Sequence, residues 1–367
     1  MGFRVIISGG GTGGHVYPAI AVAQYLRQHH PDCEILFVGA QGKMEMDKVP
    51  KAGFKIESLY IRGFPRAFSR ENIKNVFRLF GAIRKANKIV RAFKPNIAVG
   101  FGGYASGPTL YVCQRQGVPT ILQEQNSYPG VTNKFLAKRA KKICVAYFGL
   151  HRFFGKEKIV LSGNPVRQDI WKNTNKRKDA YAHFGLDPNK KTILLIGGSL
   201  GARTLNQTIR DGFEIFNEEP NVQLLWQMGK LYETEYGDSD AANHERIFPW
   251  TFIDRMDLAY LASDVIISRA GALSISELAL VQKPCILVPS PNVAEDHQTK
   301  NAMALVEKKA AHFISDNKAK TDLLPACIKL LKNKKEQQMM TTNIKEFGMP
   351  NATAVIVEEI LKHWHGA

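Results

Sequence analysis

Ile6-Ile7-Ser8-Gly9-Gly10-Gly11-Thr12-Gly13-Gly14-His15 runs an apolar strand into five glycines and then a histidine at the start of a helix. Gly9, Gly11 and Gly14 stand at the spacing G-x-G-x-x-G, which turns bare backbone N–H groups and the positive end of a helix toward a diphosphate. A dinucleotide dehydrogenase built on this turn would carry an acid for the adenosine ribose at the end of the next strand, about 20 residues on. That strand, Glu34 to Val38, leaves into Gly39-Ala40-Gln41-Gly42, and its acids Asp32 and Glu34 stand at the wrong end. The phosphate cradle therefore survives, while the nicotinamide oxidoreductase reading loses its main support.

Outward from this turn, apolar strand-like segments alternate with amphipathic helix-length ones, as a doubly wound α/β protein requires. Strands are predicted at 4–8, 34–38, 96–100, 120–122, 142–145 and 159–161. After Gly163-Asn164-Pro165 and the charged connector 172–179 the pattern restarts, with strands at 192–196, 223–226, 246–248, 265–268, 285–288 and 311–314. The second series also opens on strand, glycine loop and helix, Ile193-Leu194-Leu195-Ile196-Gly197-Gly198-Ser199-Leu200-Gly201-Ala202-Arg203. Two parallel-sheet, Rossmann-like domains are expected, 1–165 and 166–345, facing each other across a cleft. Residues 346–367 form a terminal segment whose helix, 352–364, is able to cross back onto the first domain.

With 367 residues, 44% of them hydrophobic, the chain is long enough for two cores. No run reaches the roughly 18 apolar residues of a membrane span, and the start has no signal-peptide profile, so the chain is expected on the cytoplasmic side. Cys33, Cys113, Cys144, Cys285 and Cys327 are scattered without a C-x-x-C pair, which points to reduced thiols rather than zinc or disulfides. Charge divides sharply: residues 1–165 hold 25 Lys and Arg against 8 Asp and Glu, and residues 166–367 hold 25 of each, so the whole net charge of +17 lies in the first part. Such a domain suits either nucleic acid or the anionic leaflet of a membrane, and no RNA or DNA motif accompanies it.

The residues able to carry chemistry follow the predicted strands. Gly100-Phe101-Gly102-Gly103-Tyr104-Ala105-Ser106-Gly107-Pro108 makes a third glycine loop, expected on the same carboxyl edge as Gly9–His15. Gly11, Gly102, Gly103, Tyr104 and Ser106 are the candidate cradle for an acceptor diphosphate. Gln123-Glu124-Gln125-Asn126 is a polar cluster on that edge. In the second domain Ser268-Arg269-Ala270-Gly271-Ala272 opens a helix whose small residues admit a second diphosphate, and Glu277 farther along it suits the two hydroxyls of a ribose. The polar loop 289–298 suits sugar hydroxyls, and Arg167 and Arg203 supply cations. No histidine and carboxylate set has metal spacing, so leaving-group charge would fall to helix dipoles, N–H groups and arginine.

On a helical wheel for 72–93, Val76, Leu79, Phe80, Ile83, Ala86 and Val90 share a face and read as core. Ile73 and Phe77 fall off it among Arg84, Lys88 and Arg91. Apolar side chains ringed by cations suit a peripheral membrane contact, with Ile73, Phe77 and the adjoining Phe80, Arg84 and Lys88 as its members. Gly81 would instead break the segment in two if it ended a helix. The stretch 63–70 upstream repeats the basic and aromatic mixture.

Taken in order, GGGTGGHVYPAIAVA, GFGGYASGP, QEQN, GNPVR, IGGSLGAR and SRAGALSISE resemble the MurG-type glycosyltransferases over residues 4 to about 305. The resemblance implies the GT-B fold and transfer of N-acetylglucosamine from UDP-N-acetylglucosamine to undecaprenyl-diphospho-muramoyl-pentapeptide, with no cofactor and no metal ion. Another GT-B UDP-sugar transferase with a lipid acceptor is the alternative. It also implies that Thr12, Gly13, Gly14, Asn126, Arg167, Ser199, Ile253, Ala272, Leu273, Ser274, Ile275, Ser276, Glu277 and Gln298 meet the UDP-sugar, Ile253 through its backbone at uracil. Where the family often has histidine before EQN, this chain has Gln123. The implied reaction is one inverting displacement by the muramoyl 4-hydroxyl. His15 is the favoured general base, since imidazole takes a proton near neutral pH, and Glu124 is the alternative base or the partner of His15. The partners expected are the two substrates and an anionic membrane surface at the cytoplasmic face of the inner membrane, with room for proteins of envelope synthesis and none for nucleic acid.

Overall fold

A computed structural model describes residues 3–63, 70–171, 176–198 and 200–364, the side chains of 70–74 and 294 apart. The chain divides into two compact units, 1–166 joined by 349–367, and 167–348.

The first unit is built on seven parallel strands: β1 Arg4–Ser8, β2 Glu34–Ala40, β3 Lys55–Leu59, β4 Ile97–Gly100, β5 Thr120–Glu124, β6 Lys142–Val145 and β7 Ile159–Leu161. They lie in the order β3-β2-β1-β4-β5-β6-β7. A parallel sheet covered on both faces asks for unbroken apolar strands, and Val5, Ile6, Ile7, Ile97, Ala98 and Val99 are all fully buried. β3 has no such run: Lys-Ile-Glu-Ser-Leu exposes alternate residues at the sheet edge, which hid it from a search for apolar segments. β5 runs two residues beyond its expected end, so Gln123 and Glu124 are strand residues.

The second unit has six: β8 Lys191–Ile196, β9 Val222–Gln227, β10 Ile247–Trp250, β11 Val265–Ser268, β12 Cys285–Leu287 and β13 His312–Phe313, in the order β10-β9-β8-β11-β12-β13. Its core gathers Ile193, Leu195, Leu224, Trp226 and Ile267 from the sheet with Leu205, Ile209, Leu323 and Cys327 from the covering helices.

Both sheets reverse their strand order once, between β1 and β4 and between β8 and β11. The loops after those strands leave in opposite directions and open a crevice at the carboxyl edge, where doubly wound sheets bind ligands. The glycine loops identified in the sequence are the loops at these two points.

The segment Arg70–Phe93 is one continuous helix through Gly81, beside which a side chain would meet open space. Its buried stripe keeps Ala86 and Val90 of the one expected and departs from it at the bulky residues. Ala82, Ala86 and Val90 are buried, whereas Val76 is 42% and Phe80 63% exposed, alongside Phe77 at 71%. Small alanines face the neighbouring element and let the helix approach closely, so the bulky residues that dominated the wheel sit at the margin of the contact. The Ala352–Trp364 helix packs into the first unit, burying Ile356, Val357 and Ile360 in the core that holds Val16, Ile20 and Ala23. Trp364 and Phe3 rings meet with centroids 4.3 Å apart. Cys33 is half-buried and the other four cysteines are buried, all as free thiols. Among the described residues no helix is long and apolar enough to cross a membrane.

Candidate functional site

At the first switch point β1 enters the loop 9–12 and the helix Gly13–His29, while β4 enters the loop 101–105 and the helix Ser106–Arg115. The loops touch backbone to backbone: Gly10 N–H donates to Gly102 O at 3.3 Å. Gly103, at φ +82°, lies so close that a Cβ there would be 2.3 Å from Gly10 O. Of the first-turn N–H groups, those of His15 and Val16 close back on Thr12 O. Those of Gly13 and Gly14 have no partner within the helix, which is the arrangement an anion exploits. Gly11 and Thr12 are exposed and Gly13, Gly14 and His15 half-buried, so the loop presents a surface.

His15 Nδ1 lies 3.0 Å from Gly10 O and 3.1 Å from Thr12 Oγ1. A carbonyl only accepts, so Nδ1 carries a proton, and in the neutral imidazole Nε2 then holds the lone pair. Nε2 is turned to the second loop, where a Cβ on Gly102 would stand 3.1 Å from it.

Sequence reading missed Glu45, from the helix Glu45–Lys51. Its side chain is 0% exposed, and its carboxylate accepts Gly11 N–H and Ala40 N–H, each at 2.9 Å. Gly10 and Gly39 clear the way: a Cβ on Gly10 would be 2.0 Å from Oε1 and one on Gly39 2.6 Å from Cγ. The one signal was compositional, a carboxylate among only eight in residues 1–165.

The remaining residues of the acceptor cradle divide. Tyr104 is exposed and Gly102 buried beside His15. Ser106 corrects its expected role: it is fully buried, and its hydroxyl donates to Gly103 O at 2.8 Å, holding the loop instead of facing a ligand. Glu124 is buried too. Its two oxygens accept Asn126 N–H at 3.0 Å, Gly130 N–H at 3.1 Å and Asn133 Nδ2 at 2.9 Å. Burial pushes this carboxyl up, opposed by those donors. Gln123 and Gln125 brace the same loop, Gln123 donating to Asn164 Oδ1 and Gln125 to Phe101 O, both at 2.8 Å.

At the second switch point the loop after β8 packs on the loop after β9. Gly201, at φ +86°, would set a Cβ 2.1 Å from Met228 O. Gln227 ties this loop to the segment after β10, donating to Gly198 O at 3.1 Å and accepting Ile253 N–H at 2.9 Å. Ile253 is buried.

β11 leads through Arg269, Ala270 and Gly271 into the helix Ala272–Val281. Arg269 is tied to Asp316 and to the carbonyls of Val288 and Pro289, so it braces the crevice wall. Ile275 is buried and Ser276 donates to Ala272 O, while Leu273 and Ser274 lie half-exposed with first-turn N–H groups that the helix does not use. One turn on, Glu277 Oε2 accepts the Tyr260 hydroxyl at 2.7 Å. Burial pushes the Glu277 carboxyl up to about 7, against the downward pull of Tyr260 and of the positive Arg167. Gln298 accepts Ser290 N–H at 2.8 Å, leaving its NH2 group as donor. Arg203 is largely exposed beside Glu235. Ser199, the side chain of Ile73 and residues 64–69 lie outside the described residues. Among the described residues no three His, Cys, Asp or Glu side chains gather as metal ligands.

Residues 5–145 match the glycosyltransferase family 28 N-terminal domain and residues 192–356 the glycosyltransferase family 28 C-terminal domain. A Parabacteroides distasonis protein named UDP-N-acetylglucosamine--N-acetylmuramyl-(pentapeptide) pyrophosphoryl-undecaprenol N-acetylglucosamine transferase is 53% identical over 366 residues, 98% of each chain. A Bacteroides fragilis protein of the same name is 49% identical over 361 residues, 98% of this chain and 95% of its own. The crystal structure of Acinetobacter baumannii MurG superposes with a TM-score of 0.77 at 28% identity, covering 98% of this chain and 99% of that one.

Proposed function

Because this chain belongs to glycosyltransferase family 28, we propose that it moves N-acetylglucosamine from UDP-N-acetylglucosamine to undecaprenyl-diphospho-muramoyl-pentapeptide, the sugar-transfer step of peptidoglycan synthesis. The observation that carries this reading is the identity with transferases of that name along 98% of the chain. Two anion cradles, one in each unit, fit a reaction in which donor and acceptor both carry a diphosphate.

In the second unit the N–H groups at the start of the Ala272–Val281 helix receive the UDP diphosphate and Glu277 accepts the ribose hydroxyls. In the first, Gly13, Gly14 and Gly103 offer backbone to the acceptor diphosphate, the Gly11 N–H being held by Glu45. The muramoyl 4-hydroxyl attacks the anomeric carbon from the face opposite UDP, its proton passes to His15 Nε2, and the bond from that carbon to the UDP oxygen breaks. UDP carries away the bonding pair, its charge met by helix N–H groups and dipole, with no metal ion required. Glu124 serves as a loop brace, since its oxygens are engaged by Asn126, Gly130 and Asn133. Phe77, Phe80, Arg84 and Lys88 meet the anionic surface of the inner membrane at its cytoplasmic face, bringing the enzyme to its lipid substrate.

Transfer of labelled sugar to a short-chain analogue of the lipid acceptor tests the reading. UDP-N-acetylglucosamine is expected to serve and UDP-glucose to fail. His15→Ala is expected to lose about 100-fold or more in kcat with donor affinity kept; near wild-type turnover would remove His15 as the base.

A further inference from the structure

The Gly10–Gly11 peptide unit is held at both ends. Its N–H donates to Glu45 Oε2 at 2.9 Å, and its C=O accepts from His15 Nδ1 at 3.0 Å. One planar amide thus joins a fully buried carboxylate to the imidazole, in the order carboxylate, N–H, C=O, imidazole N–H. Hydrogen bonds in such a chain polarise one another, most strongly away from water. A negative charge on the N–H side pulls that hydrogen toward it and leaves the carbonyl oxygen more negative, which makes it a better acceptor for Nδ1–H.

We infer that Glu45 is a positioning residue for the transfer reaction, holding His15 through this peptide in the tautomer that leaves Nε2 free of hydrogen and favouring the imidazolium that forms. The inference rests on the transferase reading and on His15 as base. A carboxylate bonded directly to Nδ1–H plays this part in Ser-His-Asp sites, where it orients the ring without taking up its proton. Here too the proton stays on His15 until the ring returns it to solvent, and Glu45 remains a carboxylate throughout.

Glu45 is joined to this relay by hydrogen bonds. Gly10 and Gly11 of the loop and Gly39 and Ala40 of β2 lie against Glu45, and none of them is charged. On its own helix Asp47 pairs with Lys48 and Lys51, and Glu57 of β3 is exposed. Thr12, Gly10 and Gly102 are among the groups beside His15.

Glu45→Gln keeps the shape, removes the charge and sets an NH2 group against one of the two backbone N–H donors. Expected is a fall in kcat of about 10- to 100-fold, the usual effect of losing an outer partner of a working histidine, with KM for UDP-N-acetylglucosamine unchanged. The acid limb of the kcat profile is expected to move to lower pH, because an imidazolium without its carboxylate gives up its proton more readily. In a double-mutant cycle, Glu45→Gln should add nothing in the His15→Ala background. If Glu45→Gln folds poorly, Glu45→Asp, which keeps the charge but is too short to span both N–H groups, is put through the same cycle with the same expectation. Loss of equal size with and without His15, or a kcat within about twofold of wild type on an unmoved acid limb, overturns the relay alone. A wild-type protein that transfers no sugar overturns the reading beneath it and the relay with it.

Discussion

Glu277 shows a residue whose environment works against stability. Its carboxyl is raised from the ordinary 4.5 to about 7 by burial, so across that interval the folded chain holds a proton that the unfolded chain has released. Stability from this group therefore declines as pH rises from 4.5 toward 7, and the full penalty is carried above it. Glu277→Gln removes the buried charge. At pH 8 it is expected to raise Tm while raising KM for UDP-N-acetylglucosamine about 10- to 100-fold, the cost of losing a charged hydrogen-bond partner for the ribose, with KM for the lipid acceptor unchanged. A lower Tm at pH 8, or an unchanged donor KM, contradicts this account. Glu277 was legible because it follows a glycine turn on one helix. Glu45 was not, because its partner Gly11 lies 34 residues away in the chain, and only the pairing of β1 with β2 brings the two together. The braced serine misled for a related reason: Ser106 has the composition of a phosphate ligand, but Gly103 O is nearer to it than solvent.

The elements were legible where burial on both faces forces continuous apolar runs, as in β1, β4, β8 and β11. They were obscure where a strand lies at an edge and has no apolar run, as β3 does. The Arg70–Phe93 helix was legible as a helix, and Ala86 and Val90 are buried as the wheel placed them, but Ala82 rather than Val76 and Phe80 completes the inner face, since a wheel weights residues by size and cannot see where a small side chain permits the closest packing. The outcome enlarges the exposed apolar patch to Val76, Phe77 and Phe80, next to Arg84 and Lys88. Phe77→Asp and Phe80→Asp are each expected to weaken binding to anionic vesicles about tenfold or more, from the loss of a buried aromatic side chain. Tm should hardly change, because neither ring is in the core. Vesicle binding equal to wild type would make the patch a feature of the fold alone.

At the scale of the molecule, two parallel sheets, each with one reversal of strand order, set a glycine loop and a helix N-terminus at the crevice of each unit. The repeated strand, glycine loop and helix made this doubling readable from sequence, and the confinement of the net positive charge to residues 1–165 left nucleic acid or an anionic membrane surface as the partners that suit the first unit. The return of the terminal helix to the first unit depends on Ile356, Val357 and Ile360 matching the face of the Gly13–His29 helix, a fit that periodicity does not disclose. The central claim is a single displacement, run by His15 without a metal ion, on a donor whose sugar is α-linked to UDP. Proton NMR of the disaccharide product, formed from UDP-N-acetylglucosamine and a short-chain lipid acceptor in the presence of EDTA, tests it most directly. The account predicts a β-linked N-acetylglucosamine on the muramoyl 4-oxygen; an α-linked product, or no product until a divalent ion is restored, would contradict it.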